Sequence, residues 1–285
     1  MRIWAVGGGK GGTGKSLIAH GLACALAERG LGVTLVDADF GGPNQHTYCG
    51  MRHPAATLAQ FFEDRVPLAE LAQATSVPNL ALIPGNLNTA RADSITFAQK
   101  QKLFRQIRGL GGDHVLLDLG AGSQIDTLDT FLMAEHQVAV IGPEPLSIEN
   151  FYLFLKNLQY RQVAKVLSKL GLKDSAMEVW RHRRDYGIAT TPQFVVYLRG
   201  MSAAFSEELT LEQGRLRVNL VLNQVREFRQ VETGQAVASA INTFFHARGS
   251  LVGYVRHDKD LWQRAGSFNL RSELERILDA ILKQE

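Results

Sequence analysis

Short apolar runs alternate with segments of helical periodicity along most of the chain. The runs are rich in Val, Ile and Leu, which favours buried strands at 3–6, 33–36, 80–83, 114–117, 137–141, 218–222 and 251–254. Apolar residues three or four positions apart predict helices at 15–29, 57–64, 97–108, 125–134, 148–170, 231–248 and 271–283. This alternation predicts an α/β fold, with a mostly parallel sheet flanked by helices.

The segment 171–214 interrupts the alternation. Its Thr191-Pro192 pair suits the start of a helix, with Thr191 as the N-cap and the proline in the first turn. We therefore expect a helical insertion here rather than a second domain. No repeat or linker divides the chain, which predicts a single domain over residues 1–285.

The composition is that of a globular protein, with 285 residues and 45% hydrophobic residues. No apolar run approaches the roughly 20 residues of a membrane-spanning helix, and the sequence passes from Met1 straight into a predicted strand. We therefore expect a cytoplasmic protein. Cys24 and Cys49 form no C-x-x-C pair, which argues against a disulfide framework and against an iron–sulfur site.

Positive charge is concentrated in one segment, although the net charge of the chain is only +3. Residues 156–184 contain eight basic and two acidic residues, a local charge of +6 that leaves −3 for the remainder. Tyr160 and Trp180 lie among the basic residues. We expect this segment to form a solvated helical face, and the alternative is a surface for nonspecific DNA binding.

Residues 7–16 read Gly-Gly-Gly-Lys-Gly-Gly-Thr-Gly-Lys-Ser. Gly9, Gly14, Lys15 and Ser16 fit the pattern G-x-x-x-x-G-K-[ST], in which backbone N–H groups surround phosphate oxygens and the lysine reaches the β and γ phosphates. A strand is predicted before the loop and a helix after it, as this motif requires. The pattern therefore predicts a phosphate-binding P-loop rather than a flexible glycine turn.

Carboxylates follow two of the predicted strands. Asp37 and Asp39 lie at the end of the second predicted strand. A carboxylate at this position could orient the attacking water or hold magnesium through its water shell. The alternative is an Asp-rich turn without such a function. Asp118 ends another strand and precedes Gly122, whose N–H could meet the γ-phosphate. Because ligands bind at the carboxyl ends of parallel strands, these residues are candidates for one site.

Two further strand ends carry candidate residues. Asn223 follows a late strand, and its amide could pair with an adenine edge or simply cap a turn. The segment 142–145, Gly-Pro-Glu-Pro, suits a rigid connecting turn, and the alternative is that it borders the nucleotide or a subunit interface.

The chain resembles the deviant Walker A ATPases, the MinD/ParA group, in four places: the 10–16 loop, Asp37-Ala38-Asp39, the 118–122 segment and Asn223. The segments Asp-Ala-Asp-Phe-Gly-Gly-Pro-Asn and Leu-Asp-Leu-Gly-Ala-Gly look closest to the MinD-like branch that includes FlhG and FleN. The resemblance covers roughly residues 1–165 and 216–285 and implies the fold of the P-loop NTPases.

The resemblance implies a homodimer that encloses ATP and Mg²⁺. In the family the extra lysine, here Lys10, crosses into the partner subunit and neutralises phosphate charge; without the resemblance it would be a solvated lysine. The resemblance implies that the catalytic residues are Lys10, Lys15 and Asp39, and that Asp39 positions the attacking water. Mg²⁺ is bound by Ser16 and supported through water by Asp37 and Asp118. The implied nucleotide contacts are Gly9, Gly11, Gly12, Thr13, Gly14, Lys15, Ser16, Leu17, Gly122 and Asn223.

One family motif is altered. Relatives usually carry Gly-x-Ile-Pro-x-Asp after the last strand, whereas residues 253–258 read Gly-Tyr-Val-Arg-His-Asp, with Arg256 in the proline position. The family's adenine contacts therefore cannot be transferred to this loop.

The last predicted helix has an apolar stripe, formed by Leu270, Leu274, Ile277, Leu278, Ile281 and Leu282. MinD-type proteins use such a helix on membranes, but the charged residues of 271–285 sum to −1, where anionic lipid favours a basic face. We expect this helix to dock on the sheet.

The sequence thus predicts a slow Mg-ATP-dependent ATPase that dimerises and controls a protein partner in spatial organisation or flagellar regulation. Its predicted location is the cytoplasm, with peripheral association at the membrane or cell pole as an alternative. The competing function is a nucleotide-binding regulatory module with little hydrolysis, which acts through a transcriptional or structural partner or DNA. Kinase chemistry is less favoured, because P-loop kinases lack a residue equivalent to Lys10.

Overall fold

A computed structural model describes residues 1–86, 95–258 and 270–284. Eight strands form one sheet: β1 (Arg2–Gly7), β2 (Val33–Ala38), β3 (Gln73–Ala74), β4 (Leu80–Ile83), β5 (His114–Leu119), β6 (His136–Ile141), β7 (Arg217–Val225) and β8 (Arg248–Arg256). Their order is β3-β4-β2-β5-β1-β6-β7-β8. Every neighbouring pair is parallel except β3 and β4, so the predicted fold class is confirmed.

Helices cover both faces of the sheet. They are α1 (Lys15–Glu28), α2 (Gln45–Tyr48), α3 (Leu58–Phe62), α4 (Phe97–Ile107), α5 (Ile125–Met133), α6 (Pro145–Lys169), α7 (Lys173–Arg181), α8 (Thr191–Met201), α9 (Ala203–Gly214), α10 (Gln230–Phe244) and α11 (Arg271–Leu282), with a short 3₁₀ helix at Leu68–Leu71. Helices α1 and α11 share a buried core with one face. Helices α4, α5, α6 and α10 pack on the other.

The strand register brings the predicted site residues to one edge. In the central sheet Val6 pairs with Asp118, and Asp118 pairs with Asp37 on its other side. Since all three strands are parallel, the loops that leave their carboxyl ends meet there. The register therefore places the 8–14 loop, Asp37 and Asp118 together.

Helix α11 docks on the protein, as the sequence predicted. Its residues Leu274, Ile277, Leu278 and Ile281 are buried. A Cβ atom at Gly21 of α1 would lie 2.4 Å from Leu274 Cδ1, so the glycine allows close contact between the helices. Glu285, counted with the polar face, lies outside the described residues. No helix in the described ranges is long and apolar enough to cross a membrane.

The segment 171–214 is helical, as predicted, and forms α7, α8 and α9. These helices pack on the carboxyl-terminal half of α6 around a separate apolar cluster that includes Leu167, Leu198, Phe205 and Leu209. The predicted cap was wrong by one residue. Thr190 rather than Thr191 is the N-cap of α8, and its hydroxyl accepts from Gln193 N while Gln193 bonds back to the Thr190 N–H.

The predicted helix 231–248 ends early. Helix α10 stops at Phe244, and Arg248 is the first residue of β8. His246 has φ +45°, a left-handed conformation that cannot continue an α-helix. Asn242 then pairs with both the N–H and the carbonyl of Gly249, which fixes the turn into the strand.

The basic segment 156–184 is partly neutralised by other helices. Lys165 pairs with Glu212, and Lys169 with Glu208, both on α9. Arg161 forms two hydrogen bonds with Asp129 of α5. The positive surface is therefore smaller than the local charge of +6 indicates, because three of its eight cations have carboxylate partners among the described residues.

Candidate functional site

The P-loop contains glycines where its backbone lies too close to neighbouring atoms for a side chain to fit. A Cβ atom at Gly9 would lie 2.1 Å from the Asn150 carbonyl oxygen, and one at Gly14 would lie 2.1 Å from Asn223 Nδ2. Gly12 and Gly14 also have φ values of +77° and +88°, which favour glycine. Gly14 directly precedes α1, so the N–H groups of the first helical turn face the loop.

The loop is supported from β7. Asn223 Nδ2 donates to the Thr13 carbonyl oxygen at 2.8 Å, and Gln224 Nε2 donates to that of Gly12 at 2.9 Å. Asn223 is thus a buried support of the P-loop in this structure, and contact with adenine stays a prediction. Gln224 was missed, although its place beside Asn223 at a strand end was a usable signal.

Lys15 is buried within the P-loop, and its Nζ donates to the Lys10 carbonyl oxygen at 3.1 Å. Burial lowers the pKa of this ammonium, while the charges of Asp118 and Asp39 oppose that effect. Both predicted carboxylates therefore act electrostatically on this lysine. Ser16 and Leu17 follow it in the first turn of α1, and Thr13 is buried beside it.

Asp37 and Asp118 are fully buried and are linked through Gln45. Asp37 Oδ2 accepts from the N–H groups of Asn44 and Gln45, at 2.8 and 2.9 Å. The Gln45 side chain donates to Asp118 Oδ2 at 2.8 Å and to the Ser16 carbonyl at 2.9 Å. Sequence reasoning missed Gln45, which lies in a four-residue helix without a periodic pattern.

Burial changes the acidity of both carboxyl groups. Burial and the nearby charge of Asp118 raise the pKa of Asp37 to about 7. Burial also raises the pKa of Asp118 to about 6, although the hydrogen bond from Gln45 opposes this shift. A divalent cation at this edge would favour the ionised forms, because it supplies the opposite charge.

The donor set fits a magnesium ion. Asp118 Oδ1 is buried and has no hydrogen-bond partner, and Ser16 lies beside this carboxylate. The described ranges contain no cluster of three His, Cys, Asp or Glu residues that could hold a metal ion. Mg²⁺ needs no such cluster at a phosphate site, since it keeps water molecules and takes oxygens from phosphates.

Asp39 is held at the edge of this site by a tight turn. Its Oδ1 accepts from the N–H groups of Gly41 and Gly42, at 2.9 and 3.0 Å. A Cβ atom at Gly120 would lie 2.8 Å from the same oxygen, so the β5 loop passes directly beside Asp39. Gly122 follows in that loop with φ +95°. The structure thus brings Asp39 and the 118–122 segment together.

Lys10 lies at the start of the exposed part of the loop and is half-buried, while Gly11 and Gly12 are exposed. Its carbonyl is bonded to Lys15. Within the described residues its ammonium forms no ion pair. In the part of the single chain that the structure describes, Lys10 therefore pairs with no carboxylate.

The remaining predicted segments have structural roles. Pro145 starts α6, and the Gly142 N–H donates to Ser147 Oγ at 2.9 Å, as in the predicted rigid turn. Arg256 ends β8, and its Nε donates to Glu273 of α11 at 2.9 Å. The arginine in the altered family motif thus connects β8 to the last helix.

Comparison with known proteins agrees with this architecture. The chain is 29% identical to the septum site-determining protein MinD of Synechocystis sp. over 167 residues, which cover 58% of this chain and 62% of that protein. It is 33% identical to the antiactivator FleN of Pseudomonas aeruginosa over 168 residues, which cover 55% of this chain and 56% of that protein. The chain thus matches less than two thirds of either relative's length.

A solved structure shares the fold. The septum site-determining protein MinD of Pyrococcus horikoshii, complexed with Mg-ADP, aligns with a TM-score of 0.61 and 18% identity. The alignment covers 99% of this chain and 96% of that one. Residues 4–267 match the model of the CobQ/CobB/MinD/ParA nucleotide binding domain. Because this match spans most of the sequence, the chain belongs to the CobQ/CobB/MinD/ParA nucleotide-binding family.

Proposed function

We propose that this protein is a Mg-ATP-dependent ATPase that dimerises on ATP and acts as a slow molecular switch. The observation that carries the proposal is the position of Lys15, which lies buried in the P-loop with its Nζ bonded to the Lys10 carbonyl oxygen and under the electrostatic influence of Asp118 and Asp39. A lysine there reaches the β and γ phosphates of a nucleotide, and the carboxylates serve the metal and the water. The products are ADP and phosphate.

Magnesium would be held by Ser16, with Asp37 and Asp118 acting through water. The unpartnered Asp118 Oδ1 supports this assignment, because a buried carboxylate oxygen without a donor can accept from a metal-bound water. When bound, the ion neutralises charge on the β and γ phosphates. The MinD structure that contains Mg-ADP supports the same choice of metal and nucleotide.

Asp39 is the residue we assign to the attacking water. The Gly41 and Gly42 N–H groups hold its Oδ1, so the carboxylate has a fixed orientation beside the Gly120–Gly122 loop. A fixed acceptor that contacts the water can orient it toward the γ-phosphate. The backbone N–H of Gly122 is our candidate donor to that phosphate.

We propose that the ammonium of Lys10 contacts the nucleotide phosphates bound in the partner subunit. Its ammonium has no carboxylate partner in the described part of the chain, and it follows directly on the phosphate loop. A cation supplied in trans would stabilise the transferring phosphoryl group, so each site would become complete only in the dimer. Hydrolysis would then be slow in the monomer, as a switch requires.

The switch would act on a protein partner. The matched relatives carry the names septum site-determining protein and antiactivator, which support a role in spatial organisation or flagellar regulation. We propose a cytoplasmic location and a single domain over 1–285. Docking of α11 by its apolar face speaks against that helix as a membrane anchor, and the paired lysines of α6 weaken the case for nonspecific DNA binding.

ATPase assays and light scattering on the wild type, Lys15→Ala and Lys173→Ala test the proposal. Lys173 is an exposed residue of α7 and serves as the matched control. We expect the wild type and Lys173→Ala to hydrolyse ATP and to dimerise with Mg-ATP, and Lys15→Ala to do neither. ATP binding without hydrolysis would favour the regulatory module instead. A wild type that binds no ATP would overturn both functions.

A further inference from the structure

A cavity of about 960 Å³ lies away from the P-loop, around the amino-terminal ends of β6 and β7. Residues of α4, α5, α6 and the end of α9 form its walls. Its size is within the range of pockets that bind small molecules. It shares no residue with the proposed ATP site, so it requires a separate explanation.

The lining of this cavity is positively charged. It contains six basic residues, Arg2, Arg108, Arg161, Lys165, Arg215 and Arg217, against the three acidic residues Asp129, Glu135 and Glu212. Arg161 and Lys165 have carboxylate partners. Arg108 and Arg217 are exposed, and neither forms an ion pair within the described residues. Arg215 forms an ion pair with Glu212 through one of its guanidinium nitrogens, at 3.2 Å, and the guanidinium carries further N–H donors. An anionic group would be attracted here.

A buried amide in the lining lacks a partner. Gln162 is 1% exposed, and its Nε2 donates to the Glu212 carbonyl oxygen at 3.0 Å. Its Oε1 is buried without a hydrogen bond. The orientation of the amide is fixed because a carbonyl oxygen can only accept, so the nitrogen must face Glu212. A buried acceptor without a donor is costly, and a hydroxyl group could satisfy it.

One wall also offers an apolar surface. This wall is one face of α4 and its C-cap. The residues that line it are three or four positions apart: Phe97, Gln101, Phe104 and Arg108. Phe97 is 69% exposed, unusual for an aromatic side chain on a helix. The wall thus combines an aromatic ring, an amide and a guanidinium, which can contact an organic molecule and its charged group.

We propose that this cavity binds a small phosphate ester that carries hydroxyl groups, the chemistry shared by sugar phosphates and nucleotides. Arg108, Arg215 and Arg217 hold the phosphate, and a shift of the Gln162 side chain toward the cavity lets its Oε1 accept a hydrogen bond from a ligand hydroxyl. Guanidinium groups suit phosphate because they form paired, charge-assisted hydrogen bonds. The site does not depend on ATP hydrolysis at the P-loop.

Calorimetric titration of the full chain carrying Lys15→Ala tests this proposal, because that substitution weakens phosphate binding at the P-loop. The probes are ribose 5-phosphate, adenosine 5′-monophosphate, inorganic phosphate and ribose. We expect one of the two esters to bind more tightly than inorganic phosphate or ribose, and the stronger ester identifies the ligand type. Adding Arg217→Ala should weaken that binding about tenfold, since a charge-assisted hydrogen bond is lost.

Two further variants complete the test. Arg181→Ala, an exposed arginine of α7 outside the cavity, should bind like the parent. Gln162→Leu should lose the preference for the ester over inorganic phosphate; if it does not fold, Arg108→Ala replaces it and should weaken ester binding. Equal affinity for esters and inorganic phosphate, or ester binding that neither arginine variant changes, overturns the proposal.

Discussion

Lys15 Nζ donates to the main-chain carbonyl oxygen of Lys10, at 3.1 Å, so the two lysines of the P-loop are joined across it. The bond holds the buried ammonium of Lys15 inside the loop and fixes the backbone at Lys10. It leaves the side chain of Lys10 uncommitted in the described part of the chain. One lysine thus belongs to the folded loop, and the other is the one that we propose to act on a second subunit.

Asp39→Asn should abolish most hydrolysis and leave ATP binding intact. The amide oxygen can still accept from Gly41 and Gly42, so the turn is kept, but the carboxylate that orients water is lost. We expect turnover to fall about 100-fold, the lower end for loss of an acid–base group. Single-turnover assays and ATP titrations measure the two effects separately.

Asp113→Asn is the matched control for that substitution. Asp113 lies at the opposite edge of the sheet, where its Oδ2 accepts from the Gly32 N–H at 2.7 Å. Turnover of this variant should equal that of the wild type. Equal turnover of Asp39→Asn and the wild type would remove Asp39 from the proposed chemistry.

The stability of the metal-free protein should fall as the pH rises through the range in which Asp37 ionises. Burial raises the pKa of Asp37 to about 7 from an ordinary value of 3.8, so the folded state retains a proton that the unfolded chain has lost. Between these values the folded state binds more protons, and its free energy of unfolding therefore decreases with rising pH.

Urea unfolding of the wild type and Asp37→Asn, at about pH 5 and about pH 8 without metal, checks this sign. The wild type should lose more stability than Asp37→Asn between the two conditions, because the amide does not ionise. Parallel losses in both proteins would show that Asp37 does not titrate in this range.

Lys100→Met should destabilise the fold by about 3 kcal/mol, because the buried ammonium is lost from an ion-pair cluster. Among the described residues, half-buried Asp126 then has no other cation partner, and Asp129 keeps only Arg161. The Lys100 ammonium is 2.9 Å from Asp126 Oδ1 and 2.6 Å from Asp129 Oδ2, and the lysine is 4% exposed. These pairs join α4 to α5. Urea titration measures the change, with the exposed Lys173→Met as control. Equal stability of the two variants would contradict a structural role for the cluster.

Local patterns were sufficient for the parts of the site that are close in sequence. The P-loop lies between β1 and α1, and its Gly and Lys positions are set by backbone geometry and phosphate chemistry. Asp37 and Asp118 could be placed together because the carboxyl ends of parallel strands share an edge. Docking of α11 followed from its apolar stripe and the lack of a basic face.

Contacts between distant segments could not be predicted. Gln45 reaches Asp118 across 73 positions of sequence, from a helix too short for a periodic pattern. Lys165 and Lys169 looked like a basic surface, yet their partners Glu212 and Glu208 follow 47 and 39 residues later. The two-residue strand β3 has no pattern of its own, since it depends on pairing with β4.

Complementation between two inactive variants tests the central claim, that Lys10 acts on the phosphates of the partner subunit. Lys10→Ala keeps Asp39, and Asp39→Asn keeps Lys10, so a mixed dimer contains one complete site. Random pairing of equal amounts should restore about a quarter of the wild-type turnover, because half of the dimers are mixed and each has one active site. The control replaces Asp39→Asn with the Lys10→Ala/Asp39→Asn double variant, which supplies no Lys10 and should restore nothing. An inactive mixture of the two single variants, or full turnover by Lys10→Ala alone, would contradict the account.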